Sequence, residues 1–303
     1  SENIINDSIE KVMEQYENDA LNDIARSAFI KKQVKDTSTE TVNALVKHIR
    51  SGNFLPREYE LRIAHGRVDR VDTFEDGNNI YVKVIDYKSG NKVFNVTETF
   101  LGLQMQLMVY LKDTVDYIKK NNPDKNVYPA AGLYFHVYDP YVSEIDCEKA
   151  VSDFRKKNPD SELSDEELKK MAIEKERFKA YRMSGLVAKE IEIVNAMDHN
   201  TITKTGSSAI LPVNITKSGV DARSKAIETK TYSKFINHVS NMAGEMQDKI
   251  IKGDININPV EGACDYCPFG GICNFDRKLG SRYRQVEKVS LSDIEEKCNE
   301  VDR

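Results

Sequence analysis

Apolar residues recur at three-to-four spacing at the start of the chain, where Ile9, Val12, Met13 and Tyr16 form one stripe and predict a helix over residues 8–19. A second helix is expected to open at Thr39 and Glu40, to turn Val42, Leu45, Val46 and Ile49 toward the core, and to stop at Gly52. Pro56 breaks the helical pattern, and Tyr59 to Ile63 alternates as a strand does. Residues 66–88 then read as a β-hairpin, two alternating runs joined by Glu75-Asp-Gly-Asn-Asn79, whose Gly and Asn residues tolerate the positive φ angles of a tight turn. From Val96 to about Lys120 the period returns to helical, and residues 127–138 form a buried strand ended by Asp139-Pro140. Residues 148–183 are evenly charged and predict exposed helices, Ser207 to Ile215 a further strand, and residues 232–252 a helix closed by Gly253. Strand, helix and strand in this order imply an α/β core with a helical insertion.

Composition narrows the class. The 303 residues are 40% hydrophobic and 31% charged, enough apolar surface for a real core. No apolar run approaches the length of a spanning helix and no signal-peptide pattern opens the chain, so the expected location is cytoplasmic. The formal net charge is −5, so any nucleic-acid site must be local. No G-x-x-x-x-G-K-[ST] phosphate loop occurs, and an ATPase function is not expected within these residues.

The hairpin carries the first candidate chemistry. Side chains alternate between the faces of a strand, so Asp86 and Lys88 share one face. A turn centred on Gly77 and Asn78 sets Asp69 opposite Asp86, with Cβ atoms roughly 4.5–5.5 Å apart. Two carboxylates at that separation repel unless a cation lies between them or one is protonated. Oxygen donors favour Mg2+ or Mn2+, and an ammonium alongside suits phosphodiester hydrolysis. The same register turns Asp72 to the other face, opposite Lys83, as a solvated ion pair. In the following helix Gln106 and Tyr110 are four residues apart and share a face; Gln106 is either an active-site group or a core amide bonded to backbone.

Five cysteines occur, and Cys264, Cys267 and Cys273 fall in a C-x-x-C-x5-C cluster that suits a metal rather than a disulfide framework. Three thiolates do not close a tetrahedral zinc site or an iron–sulfur cubane. The fourth ligand is Cys298, Cys147 or a group outside the chain, and spacing alone does not separate zinc from iron–sulfur. Among the histidines, His65 beside the hairpin is either a metal ligand or a strand-end surface residue, and His136 reads as a core residue. His48, His199 and His238 sit in charged contexts that require no role.

These residues form a recognisable set. Gly66-Arg-Val-Asp69, Val84-Ile-Asp86-Tyr-Lys88-Ser-Gly90 and Gln106-x-x-x-Tyr110 resemble the RecB-like branch of the PD-(D/E)XK nuclease superfamily. With the cysteine cluster, Phe54-x-Pro56-x-x-x-Glu60 and Leu133-Tyr-Phe-His-Val-Tyr-Asp-Pro140, the set is similar to the C-terminal nuclease domain of the AddB family, components of bacterial helicase–nucleases that process double-strand breaks. The resemblance implies a restriction-endonuclease-like core, a central mixed β-sheet flanked by helices, with a helical insertion and a C-terminal cysteine cluster. It divides the chain into N-terminal helices (1–53), a nuclease core (54–140), an insertion with a supporting strand and helix (141–258), and the cysteine cluster and tail (259–303). It further implies that Asp69 and Asp86 hold Mg2+ or Mn2+, that Lys88 is the catalytic lysine, and that Gln106 and Tyr110 complete the site. Cys264, Cys267 and Cys273 would bind a four-iron, four-sulfur (4Fe-4S) cluster.

No cysteine precedes Cys147, and the His-bearing upstream helix of that family is not recognisable in residues 1–20. The expectation is therefore an excised C-terminal fragment that cannot hold an intact cluster. The implied substrate is single-stranded DNA, and the implied partner is the AddA helicase–nuclease subunit. Arg277, Lys278, Arg282 and Arg284, with Lys288, are either phosphate contacts or a solvated face. The rival reading is a non-catalytic DNA-binding or docking module on a nuclease fold held by a metal clip.

Overall fold

A computed structural model describes residues 2–16, 25–159, 162–265 and 267–300. Two helices open the chain, α1 (Glu2–Tyr16) and α2 (Ala25–Arg50). On α1, Val12 is exposed and Ile9 half-buried, while the side chains of Met13 and Tyr16 lie outside those described. The second helix begins fourteen residues before the expected Thr39 (at Ala25), and its buried face is Thr41, Ala44 and His48 rather than the Val42–Ile49 stripe. Those three recur at helical spacing, and His48 packs edge-on against Phe135 and Phe178, so small and polar residues do the burying that an apolar count assigns to valines.

The strands β1 (Leu55–Ile63), β2 (Gly66–Asp76) and β3 (Asn79–Lys88) form an antiparallel meander. Pro56 is accommodated because β1 is the edge strand. Asp76 pairs with Asn79 across a two-residue turn in which Gly77 takes φ 56°, and Asp72 pairs with Lys83, so the hairpin register is the expected one.

The helical stretch after β3 is split into α3 (Val96–Phe100), capped by the Asn95 side chain, and α4 (Gln106–Asn121). Next comes β4 (Asn126–His136), parallel to β3. The charged segment forms the largely exposed helices α5 (Glu144–Lys157) and α6 (Asp165–Ala180). They are followed by β5 (Ser184–Ala188), α7 (Ile191–Met197) and α8 (Asn200–Thr203).

The strand expected over Ser207 to Ile215 is instead two short strands, β6 (Gly206–Ser207) and β7 (Asn214–Thr216). They pair with β8 (Gly219–Val220) in a small separate sheet. Pro212 lies between them and cannot donate to a ladder, which is why one continuous strand does not form. Then follow β9 (Ala226–Ile227), α9 (Thr229–Ile251), α10 (Gly270–Cys273), a 3-10 turn at Arg277–Leu279 and α11 (Leu291–Glu300).

The central sheet has the order β1-β2-β3-β4-β5-β9 and is mixed, with parallel pairs at β3/β4 and β5/β9. Two cores sandwich it, as the α/β class requires. One side packs Val82, Val84 and Tyr134 against Leu107, Leu111, Phe235 and Ile294 of α4, α9 and α11. The other packs Ile85, Leu133, Phe135 and Val187 against Ala44 of α2 and Val194 of α7. Tyr232 pins α9 to the sheet: its hydroxyl accepts from Gly132 N–H and donates to the Leu186 carbonyl, both at 2.9 Å.

Candidate active site

The alternation of β2 and β3 turns two sets of ionisable side chains to opposite faces of the hairpin. On the α4 side lie Asp69, Asp86 and Lys88. Asp86 is 3% exposed, and burial pushes its carboxyl pKa up, opposed by Lys88 and reinforced by the Asp69 charge. The Lys88 ammonium stands 2.5 Å from Asp86 Oδ2 as an ion pair, and that oxygen has no other donor among the described residues. Asp69 is half-buried and accepts a 2.7 Å hydrogen bond from the Tyr87 N–H through Oδ2, which fixes its carboxylate against β3.

Helix α4 supplies the remaining groups from its first turn. Lys88 Nζ donates to Gln106 Oε1 at 3.4 Å, and Gln106 Nε2 donates to the Tyr110 hydroxyl at 3.1 Å. Gln106 is exposed, not the buried amide considered from sequence; the buried one is Gln104, which braces the β3–α3 loop through Asn95 N–H and the Val93 carbonyl. Tyr110 rests on Gly66, where an added Cβ would lie 2.6 Å from its hydroxyl, so this glycine lets the tyrosine reach the start of β2.

On the opposite face, Asp72 binds Arg70 through two bonds of 2.6 and 2.7 Å and Lys83 at 2.9 Å. The pair expected to be solvated is buried, with Asp72 and Lys83 0% and 7% exposed at the side chain. Register alone does not reveal that α2 and Phe54 cover this face; Lys83 Nζ lies 5.1 Å above the Phe54 ring.

Three residues escape the sequence reading. Tyr134 pairs with Asp86 across β3/β4 and is fully buried, its hydroxyl without a hydrogen-bond partner and its pKa raised by burial and by Asp86. The ammonium groups of Lys88 and of the exposed Lys92 lie 5.6 and 5.7 Å from its ring centroid. The available signals were a hydroxyl in an otherwise apolar strand and a second lysine four residues after the first. The third is His48, expected to need no role. It is buried edge-on against Phe135 and Phe178, both ring nitrogens lack partners, and desolvation with nearby Lys83 and Arg70 takes its pKa down to about 3.

His65 is held by Asp113 of α4, which accepts from its backbone N–H and lies 2.9 Å from Nδ1. His136 hydrogen-bonds the Lys92 carbonyl at 2.9 Å.

Among the described residues no group of three or more His, Cys, Asp or Glu side chains is gathered to hold a metal. For a divalent cation the donor set nevertheless fits at the hairpin, where the neighbouring carboxylates of Asp69 and Asp86 have one ammonium, Lys88, to offset their two charges. The cysteine loop fits a cubane less well. Cys264, Cys267 and Cys273 are free thiols at or near the surface, whereas Cys147 and Cys298 are buried, and burial raises the Cys298 pKa away from a thiolate. Tyr283 lies beside Cys264, and Arg277 lies over the Tyr283 ring. Arg277, Lys278, Arg282 and Arg284 are all exposed.

With this geometry in place, a family model described as the PD-(D/E)XK nuclease superfamily matches residues 2–274. The chain belongs to that superfamily. PD-(D/E)XK nucleases generally use divalent metal ions, in keeping with the donor set of the hairpin. The chain is also similar to proteins whose names make each of them one subunit of an ATP-dependent helicase/deoxyribonuclease. That of Thermoanaerobacter sp. (strain X514) is 28% identical over 317 residues, covering 96% of this chain and 25% of the relative. Those of Clostridioides difficile and Clostridium acetobutylicum are 29% and 30% identical, each covering 90% of this chain and 24% of the relative. The chain thus spans about a quarter of the length of these curated relatives. No helix among the described residues is long and apolar enough to cross a membrane.

Proposed function

We propose that the chain is a metal-dependent deoxyribonuclease domain that hydrolyses phosphodiesters of single-stranded DNA within a helicase–nuclease assembly for double-strand break repair. The observation that carries this reading is the meeting of Asp69, Asp86 and Lys88 beside Gln106 and Tyr110, with Asp86 buried and, among the described residues, paired only with Lys88. Asp69 and Asp86 would hold Mg2+ or Mn2+. When bound, the cation supplies Lewis acidity and charge neutralisation at the scissile phosphate. Lys88 orients the attacking water and offsets the charge that grows on the phosphoryl oxygens. Gln106 holds the lysine ammonium toward the carboxylates, and Tyr110 holds Gln106. The names of the relatives support a motor supplied by other parts of the assembly; the partner subunit in this reading is AddA, which rests on the resemblance of the motifs alone. A 4Fe-4S cluster on Cys264, Cys267 and Cys273 remains part of the proposal only for an assembly that brings a fourth thiolate.

Incubation of the chain with labelled single-stranded DNA and Mg2+ or Mn2+ tests this. Cleavage that is abolished by EDTA and falls about a hundredfold or more in Asp86→Ala is expected. A wild-type chain that binds the strand without cutting it in either metal would support the docking-module reading instead.

A further inference from the structure

The loop that follows Lys88 leads away from the candidate site. Lys92 stands over Tyr134, the backbone N–H of Phe94 donates to Ser184 Oγ at 3.1 Å, and Ser184 begins β5 beside Tyr134. From Val93 onward this loop forms one wall of an open groove of about 800 Å³. The far wall is Lys189, just beyond β5, with the loop Ala222–Lys225 that precedes β9; the third side is the chain from Lys288 into α11. Two hydrogen bonds of 3.0 Å between Thr97 and the backbone of Val289 clip that third side to α3, so the groove is a fixed feature of the fold. Its lining includes Phe94, bonded to Ser184 at the start of β5, and Lys189, just past the end of that strand; five residues further at about 3.3 Å each, the two ends lie roughly 16 Å apart, room for several backbone phosphates rather than one.

Its charge is the decisive property. Four cations line it, Lys189, Arg223, Lys225 and Lys288, against two carboxylates, Glu98 and Glu295. Arg223 is neutralised by Asp221 at 2.9 Å, which leaves three lysines against Glu98 and Glu295, a small excess of positive charge. Lys189, Lys225 and Lys288 make no ion pair among the described residues, nor does Lys92, whose charge is felt by Asp86. A protein with net charge −5 has thus collected unpaired ammonium groups along one path that starts at its candidate catalytic lysine. The groove offers no exposed aromatic ring, since Phe94 is 5% exposed, so it has charge to track a backbone and no platform to stack bases.

We propose that this groove carries the sugar–phosphate backbone of the DNA strand beyond the scissile bond, Lys92 meeting the phosphate next to Lys88 and Lys189, Lys225 and Lys288 meeting phosphates further along. The proposal rests on the nuclease reading for the identity of its ligand, and assigns contacts other than the Arg277–Arg284 run. Binding along it is independent of base sequence and weakens steeply with salt.

The test is fluorescence anisotropy of a labelled twelve-nucleotide thymidine oligomer in EDTA, across a salt series. The proteins compared are the wild-type chain, the Lys189→Gln, Lys225→Gln, Lys288→Gln triple variant, and a control with Lys149→Gln, Lys156→Gln and Lys175→Gln on α5 and α6. Loss of three single-strand contacts lowers the slope of log K against log salt by about 2. The affinity is expected to fall about tenfold or more, while the control keeps the wild-type slope. If the triple variant is poorly folded by circular dichroism, the Lys225→Gln, Lys288→Gln double variant is read instead, with a slope lower by about 1.4. An unchanged slope and affinity overturn the groove, as does an equal loss in the control. Cleavage of the same oligomer with Mg2+ or Mn2+ is scored separately. Lysine-dependent binding without cleavage keeps the groove and removes the nuclease reading; cleavage with an unchanged slope keeps the nuclease reading and removes the groove.

Discussion

The two faces of the β2–β3 hairpin carry nearly the same side chains and put them to opposite uses. On one face Arg70, Asp72 and Lys83 are closed off, and both Asp72 oxygens are taken by cations at hydrogen-bond distance. On the other, Asp69, Asp86 and Lys88 stand under the first turn of α4, with Asp86 Oδ2 met, among the described residues, only by Lys88 and the Lys88 side chain 22% exposed. A buried carboxylate held by two cations is rigid and inert, whereas two neighbouring carboxylates beside a single ammonium are poised to take a further cation. The difference lies in what covers each face, Phe54 and α2 on one side and the open lip between β3 and α4 on the other.

The largest expected contrast is in stability. Asp72→Ala strands Arg70 and Lys83 in the core and is expected to cost about 3–5 kcal/mol in denaturant unfolding. Asp86→Asn, measured without metal at neutral pH, is expected to leave stability unchanged or higher. Its folded-state pKa is raised, so the ionised carboxyl loses stability as pH rises through that value, and the amide removes the penalty. Equal losses in the two variants would erase the distinction between the faces. Replacing the inert set as a whole, with Arg70→Met, Asp72→Leu and Lys83→Met, is expected to be neutral or stabilising by about 1–4 kcal/mol, with cleavage retained.

How far these faces were legible in the sequence follows from the same residues. The hairpin register was readable because Asp76-Gly77-Asn78-Asn79 pins a two-residue turn and period-two alternation does the rest. Its burial was not, because Lys83 and Asp72 look like solvent-facing residues until a third element covers them. The α2 face was misjudged for the same reason, since His48 and Thr41 give no apolar signal although Phe135 and Phe178 close over the histidine. Tyr134 was hidden in an apolar strand, and only the parallel pairing of β3 with β4 brings it beside Asp86.

His48 sharpens the comparison through pH. Its folded pKa of about 3 lies below the unfolded value near 6.5, so the unfolded chain binds the extra proton between them. Stability is expected to fall by up to about 1.4 kcal/mol per pH unit as pH drops below 6.5, and His48→Phe is expected to remove that slope. Thermal unfolding at pH 7 and pH 5 for both proteins checks it, and parallel curves would contradict a neutral buried imidazole. The smallest effect concerns alignment. Gln106→Ala is expected to reduce cleavage about tenfold with unfolding unchanged, because it removes only the 3.4 Å tether on Lys88. Rescue by Gln106→Asn or Gln106→Glu would point to that tether, and no loss in the alanine variant would remove Gln106 from the site.

The central claim is that Asp69 and Asp86 cage one cation beside Lys88. Anomalous diffraction from crystals soaked in Mn2+ reads this directly. The account predicts one strong peak between the two carboxylates, lost in Asp86→Asn; a peak elsewhere with these oxygens unliganded would contradict it.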